Sequence, residues 1–125
     1  KLRISNGAAG ISYVGPISSN AAFPGTTVWI GDYQNVFFVG ANGNSVNGMP
    51  GAQALMKPEE LWNIDTKMDD GLPATGNVVS IYPGTGFAPA ASATTGCVTT
   101  NVSSTAAYSL SNSSVVCGMA MKSGF

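Results

Sequence analysis

The sequence contains no histidine, which removes the commonest general base and the commonest metal ligand. Charge is scarce as well: 9% of the 125 residues are Asp, Glu, Lys or Arg, against about 25% in a typical soluble domain. Five scattered cations and a net charge of −1 provide no basic patch to neutralise phosphates, which argues against a nucleic-acid partner. No apolar run approaches the length of a membrane span, and no signal peptide is visible. There are two cysteines, Cys97 and Cys117. A zinc site needs about four ligands, and a catalytic cysteine needs a base; the sequence supplies neither. In place of charge stand Gly, Ser, Thr, Asn and Ala. The length suits one domain, residues 1–125, large enough to bury a core.

The few charges are unevenly placed. Seven of the eleven lie between Lys57 and Asp70, and none between Gly71 and Met121. This divides the chain into a β-rich first part, one charged helix and a long neutral tail. In the first part, ISYV (Ile11 to Val14), TTVWI (Thr26 to Ile30) and NVFFVG (Asn35 to Gly40) are rich in β-branched and aromatic residues and read as strands. GDYQN, from Gly31, reads as a turn, which makes Val28–Ile30 and Val36–Val39 an expected hairpin. The Gly/Asn-rich run from Gly40 to Gly51 reads as a loop.

MKPEELWNIDTKMDDG predicts the helix, over about residues 58–70. Pro58 suits the first helical position, and Glu59 and Glu60 complement its positive end. Lys57 stands where a Ser or Thr cap would serve better. Leu61, Ile64 and Met68 share one face at the helical period, and Asp65 falls at that face's edge. Gly71 suits the left-handed residue that closes a helix. NVVSIY, from Asn77, reads as the next strand, and Pro83 to Gly96 as a loop. CVTTNV, AAYSL and SVVCGMAM predict three short strands in the tail. The expected fold is α+β: an antiparallel sheet of about four to six strands, one short helix packed on it, and a pinned C-terminal segment.

Cys97 and Cys117 allow two readings, a disulfide closing the intervening loop or two buried free thiols. Low charge and a surface of Ser, Thr and Asn favour the disulfide and an oxidising compartment. Trp29 and Trp62 read as core or half-buried packing. Asn101-Val-Ser103 and Asn112-Ser-Ser114 match glycosylation acceptors, but read equally well as surface polar residues. The Ser/Thr-rich stretch from Ser92 to Ser114 reads as neutral exposed strands and loops, with O-linked sugar as the alternative.

The acids at the helix end pose an electrostatic problem. A helix C-terminus is its negative pole, so Asp69 and Asp70 are unfavourable there, and Asp65 repels Asp69 four residues on. Three readings compete. In the first, the carboxylates accept hydrogen bonds from backbone N–H groups of GLPATG, with Asp65 the most buried. In the second, Asp65, Asp69 and Asp70 are calcium ligands, although the alternating D-x-D-x-D spacing is missing. The third, a carboxylate pair for acid/base catalysis, comes with no nucleophile or electrophile, so no catalytic residue is assigned and the protein is not expected to be an enzyme.

The run PEELWNIDTKMDDGLPATGNVVSIY resembles the C-terminal part of bacterial prepilin-type proteins, the type IV pilins and type II secretion pseudopilins. In that class a helix ends in a pattern like IDxKxDDGxPxxG and a strand follows. Ile64, Asp65, Lys67, Asp69, Asp70, Gly71, Pro73 and Gly76 match it. The family's C-terminal disulfide agrees with the late cysteine pair, and related major pseudopilins hold calcium in a C-terminal loop. The specific match covers about a fifth of the chain, by sequence pattern of helix stop and turn. The resemblance implies the globular head of a filament subunit, self-associating outside the cytoplasm, at the cell surface or in the periplasm. It also implies an N-terminal apolar helix, the family's membrane anchor and filament core. No residue here plays that part, so the helix is expected from a missing segment or a separate polypeptide. A secreted adhesin-type binding module is the alternative, and a secreted enzyme the third.

Overall fold

The computed structural model describes residues 3–5, 9–18, 29, 32–41, 54–81, 96–100 and 102–122. Among them, five strands form one antiparallel sheet: β1 (Arg3–Ser5), β2 (Ala9–Ser18), β3 (Asp32–Ala41), β4 (Val78–Ile81) and β5 (Gly118–Lys122). Their spatial order is β1-β2-β3-β5-β4. Helix α1 (Pro58–Met68) lies between β3 and β4 in the chain and packs on β4. The architecture is α+β, as the alternation of apolar runs and the single helical period predict.

Two expected features of the first part are corrected. Val36–Val39 do not form a hairpin with Val28–Ile30. That segment of β3 is paired on one side with β2, where Val36 faces Val14 and Val39 faces Ile11, and on the other with β5, where Val36 faces Lys122 and Val39 faces Met119. Both edges are therefore filled. Val28 and Ile30 lie outside the described residues, and Trp29 is not in a strand. Likewise Asp32 to Asn35 are not a turn but the start of β3, where Asp32 faces Ser18 and Gln34 faces Ile17. A partner strand satisfies their backbone groups, and this outweighs the turn preference of an Asp- and Asn-containing stretch. The β2–β3 register shifts between Val14 and Ile17. This stretch contains Pro16, which has no amide to give a regular ladder. The loop expected from Gly40 to Gly51 lies outside the described residues beyond Ala41, and the one expected from Pro83 lies outside them up to Gly96.

The tail differs most from expectation. Of three predicted strands, the described residues contain one, β5. The rest is a turn-rich lobe between Cys97 and Cys117, held by isolated bridges, Val98 with Tyr108 and Met56 with Cys117. Its backbone groups find partners within the lobe: Thr99 N–H donates to Ala107 O at 2.9 Å and Ser109 N–H to Cys97 O at 2.9 Å. Asn112 side-chain nitrogen donates to Gly96 O at 3.0 Å, and Ser114 N–H donates to Asn112 Oδ1 at 2.9 Å. Short polar side chains thus compete with ladder pairing. They also commit Asn112 to holding the lobe rather than to standing free as a glycosylation acceptor. Asn101, the other candidate, lies outside the described residues.

Cys97 and Cys117 form a disulfide, with Cα atoms 5.2 Å apart. Both sulfurs sit in the core with Trp29, Leu61, Val79 and Ala120. β5 lies between β3 and β4, and its Gly118, Met119 and Ala120 are buried. β4 is buried along its whole length. Leu61 on the helix has no exposed surface. Met68, expected on the same apolar face, is 61% exposed, because the helix ends there and its last turn passes the edge of the core. Trp29 is buried and Trp62 is half-exposed, so both serve as packing. Among the described residues no helix is long and apolar enough to cross a membrane.

Candidate functional site: the turn from helix to strand

The helix starts without a Ser or Thr cap. Glu60 instead folds back, and its carboxylate accepts from Lys57 N–H at 2.8 Å. That is half of a capping box, with the donor on the backbone and the acid in the third helical position. At the other end the helix stops at Met68, with Asp69 as its cap residue and Asp69 N–H donating to Asp65 O at 2.6 Å. Gly71 and Gly76 follow with φ of +74° and +71°, a region that side chains with a Cβ rarely adopt.

Each of the three acids has its own donors. Asp65 has no exposed surface. Its Oδ1 accepts from Gly71 N–H at 3.1 Å and its Oδ2 from the Tyr108 hydroxyl at 2.6 Å. Asp69 Oδ2 accepts from two successive amides at the start of β4, Asn77 N–H and, at 2.9 Å, Val78 N–H. Asp70 closes an Asx turn with Leu72 N–H at 2.9 Å and accepts from the Thr75 hydroxyl at 2.6 Å. The electrostatic cost of acids at a helix C-terminus is offset because the loop reverses direction and presents its own amide dipoles to them.

Pro73 completes the turn. It is buried, and its carbonyl accepts from Ser80 N–H at 2.9 Å and from the Ser80 hydroxyl at 3.2 Å. The Ser80 carbonyl in turn accepts from the Trp29 indole N–H at 3.1 Å. Among the described residues β4 is the last strand of the sheet. Its outward N–H and C=O at Ser80 are thereby covered by the turn and by Trp29, so this edge is not open to strand addition there.

Burial pushes the Asp65 carboxyl up from 3.8 to about 6. The bonds from Tyr108 and Gly71 oppose that rise, and the charges of Asp70 and Asp69 add to it. Burial also pushes the Tyr108 hydroxyl above its ordinary range, and its bond to Asp65 adds to that. The hydroxyl therefore stays protonated and acts as a donor.

Asp65, Asp69 and Asp70 can each bring one oxygen within 4.8 Å of the others. Proximity alone does not make a cation site. Both oxygens of each carboxylate already accept from protein donors, and calcium needs six to eight oxygen ligands, about twice what three monodentate acids supply. We therefore assign no metal to this turn. Thermal unfolding is expected to give the same midpoint in EDTA and in millimolar calcium; a calcium-dependent rise of several degrees would show that the acids bind the ion.

Sequence reading brought together Asp65, Asp69, Asp70, Gly71, Pro73 and Gly76, and all six line this one turn. Thr75, Asn77, Ser80 and Tyr108 were missed as partners. Thr75 and Asn77 are close in sequence and legible as donors near the acids, and Ser80 donates to the Pro73 carbonyl. Tyr108 is 43 positions from Asp65, and its only signal is that it is the one aromatic residue between Cys97 and Cys117.

Compared with known proteins, the chain matches no family model, no curated protein and no solved structure.

Proposed function

We propose that this domain is the exposed head of a type IV pilin-like or pseudopilin-like subunit, packing side by side with copies of itself in a filament outside the cytoplasm. The observation that carries the reading is the turn from Ile64 to Gly76. The acids, glycines and proline that resemble the family's helix-end pattern are one interlocked device. Asp65 is buried under the lobe, Asp69 caps β4, Asp70 closes the Asx turn, Gly71 and Gly76 take positive φ, and Pro73 receives Ser80. The disulfide between Cys97 and Cys117 supports an oxidising compartment. The uncharged stretch from Gly71 to Met121 supports close packing of copies, since interface cores are depleted of charge.

A secreted adhesin-type module is the second reading, favoured by Val102, Leu110 and Val115, which are half-exposed on the neutral lobe. The gene separates the two. An apolar helix encoded after a short basic leader, in the same reading frame or in a small neighbouring one, supports the filament subunit. A cleavable secretory signal joined directly to this domain supports the adhesin and contradicts the filament reading.

A further inference from the structure

Closing the helix and starting the turn place Asp70 directly before a glycine. Gly71 takes a φ of +74°, which a residue with a Cβ rarely adopts. Asp70 closes the Asx turn by accepting from Leu72 N–H at 2.9 Å. The turn uses both residues, and together they make a chemically exposed dipeptide. Glycine has no Cβ to shield its nitrogen, so an aspartyl side chain just before it is open to attack by that nitrogen.

In an open chain the attack has a definite course. The Gly71 nitrogen bonds to Asp70 Cγ, and one carboxyl oxygen leaves as water, taking the hydrogen of the acid and that of the amide. The product is a five-membered succinimide. Water then opens the ring at either carbonyl. One route restores the aspartate. The other leaves the chain linked through Cγ, an isoaspartate with one more methylene in the backbone. The reaction needs no oxidant, metal or second substrate.

In the folded turn three hydrogen bonds oppose that course. Gly71 N–H, which must give up its hydrogen, donates at 3.1 Å to Oδ1 of the fully buried Asp65. Asp70 Oδ1 accepts from Leu72 N–H, and its Oδ2 accepts from the Thr75 hydroxyl at 2.6 Å. Attack makes Cγ tetrahedral and expels one of those oxygens, so the Leu72 and Thr75 bonds cannot both survive it. The flanks are tied down as well. Asp69 accepts from Val78 N–H at 2.9 Å, and the Pro73 carbonyl accepts from Ser80 N–H at 2.9 Å. Asp70 and Gly71 therefore reach each other only if the turn loosens.

We propose that Asp70–Gly71 is a latent isoaspartate site: the closed turn holds it unreactive, and rearrangement proceeds only in molecules whose connection between α1 and β4 has opened. This holds whether or not the domain belongs to a filament. Such an opening leaves a lasting record. The added methylene displaces Gly71 from Asp65 and shortens the reach of the Asp70 carboxylate toward Leu72 and Thr75, so the turn does not re-form with its original bonds.

Incubation of the intact domain in mildly acidic buffer, followed by digestion and fragmentation spectra that separate isoaspartyl from aspartyl peptides, reads the reaction at Asp70. The same chain, reduced and unfolded in urea, supplies the open-chain rate. The folded domain is expected to react about tenfold more slowly or slower still, because the rate scales with the fraction of open molecules. Thr75→Val removes the hydroxyl and keeps the shape. It is expected to speed the reaction in the folded domain by about threefold to tenfold, the loss of one hydrogen bond, and to leave the unfolded rate unchanged. Thr75→Ser, which keeps the donor, should stay near the wild-type rate. A folded wild type that reacts as fast as the unfolded chain overturns the proposal, and this comparison decides even if Thr75→Val fails to fold. A folded Thr75→Val domain no faster than wild type, or a Thr75→Ser domain as fast as Thr75→Val, also overturns it. An acceleration in Thr75→Val matched by an equal loss of amide protection along β4 and β5 would mean that the whole domain opens, and contradicts protection by the turn.

Discussion

Replacing Gly76 by alanine is expected to lower the unfolding free energy by about 3 kcal/mol, measured by chemical denaturation. Two costs add. A φ of +71° puts a Cβ in the left-handed region, which costs about 1–2 kcal/mol. The new Cβ would also overlap the Asp69 carboxylate, standing 2.6 Å from its Cγ. Asp69 must then swing away, leaving Asn77 and Val78 amides without their acceptor at the start of a buried strand, at about 1–3 kcal/mol. Because the second cost passes through Asp69, Gly76→Ala and Asp69→Ala should be less than additive. Gly71→Ala makes a useful contrast. Its φ is similar, but its Cβ would meet Thr66 Oγ1 at 2.9 Å, the end of an exposed side chain that can turn aside. A smaller loss is expected there. Equal losses at both glycines would mean that φ alone matters and that Asp69 does not hold the turn.

The second large effect is expected from the disulfide. Replacing Cys97 and Cys117 together by alanine should cost about 3 kcal/mol, the chain-entropy value for a loop of this length. The sequence separation is 20, and both cysteines are in the core. The bridge closes the lobe at its base, so the loss should concentrate there. Proteolytic cleavage between residues 98 and 116 should speed up before the sheet unfolds. An unchanged midpoint, or cleavage no faster than in the wild type, would mean that the lobe's own hydrogen bonds suffice to hold it.

The helix was the most legible element, because Pro58, two early glutamates, an apolar period and a closing glycine all agree on it. Its predicted end at residue 70 and observed end at Met68 differ by the fraying expected of a helix terminus. β4 and much of β2 and β3 were legible from β-branched and aromatic runs. Strand pairing was not. The partners of Val36–Val39 are β2 on one side and, on the other, β5, some eighty residues away, and local turn chemistry carries no trace of either. In the tail, Thr, Ser and Asn suit a strand and a turn almost equally well. What decided between them was where a disulfide and a few side-chain hydrogen bonds placed the chain. At the turn, the sequence posed the problem of three acids at a helix C-terminus. The local donors were legible there and the distant Tyr108 was not, because a hydroxyl arriving from another segment is specified only by tertiary packing.

The filament reading is tested most directly by electron microscopy of filaments sheared from the cell surface, with mass spectrometry of the same purified material. The account predicts thin filaments that contain peptides of this chain. Filaments that lack the chain, with the chain recovered instead as free protein, would contradict it.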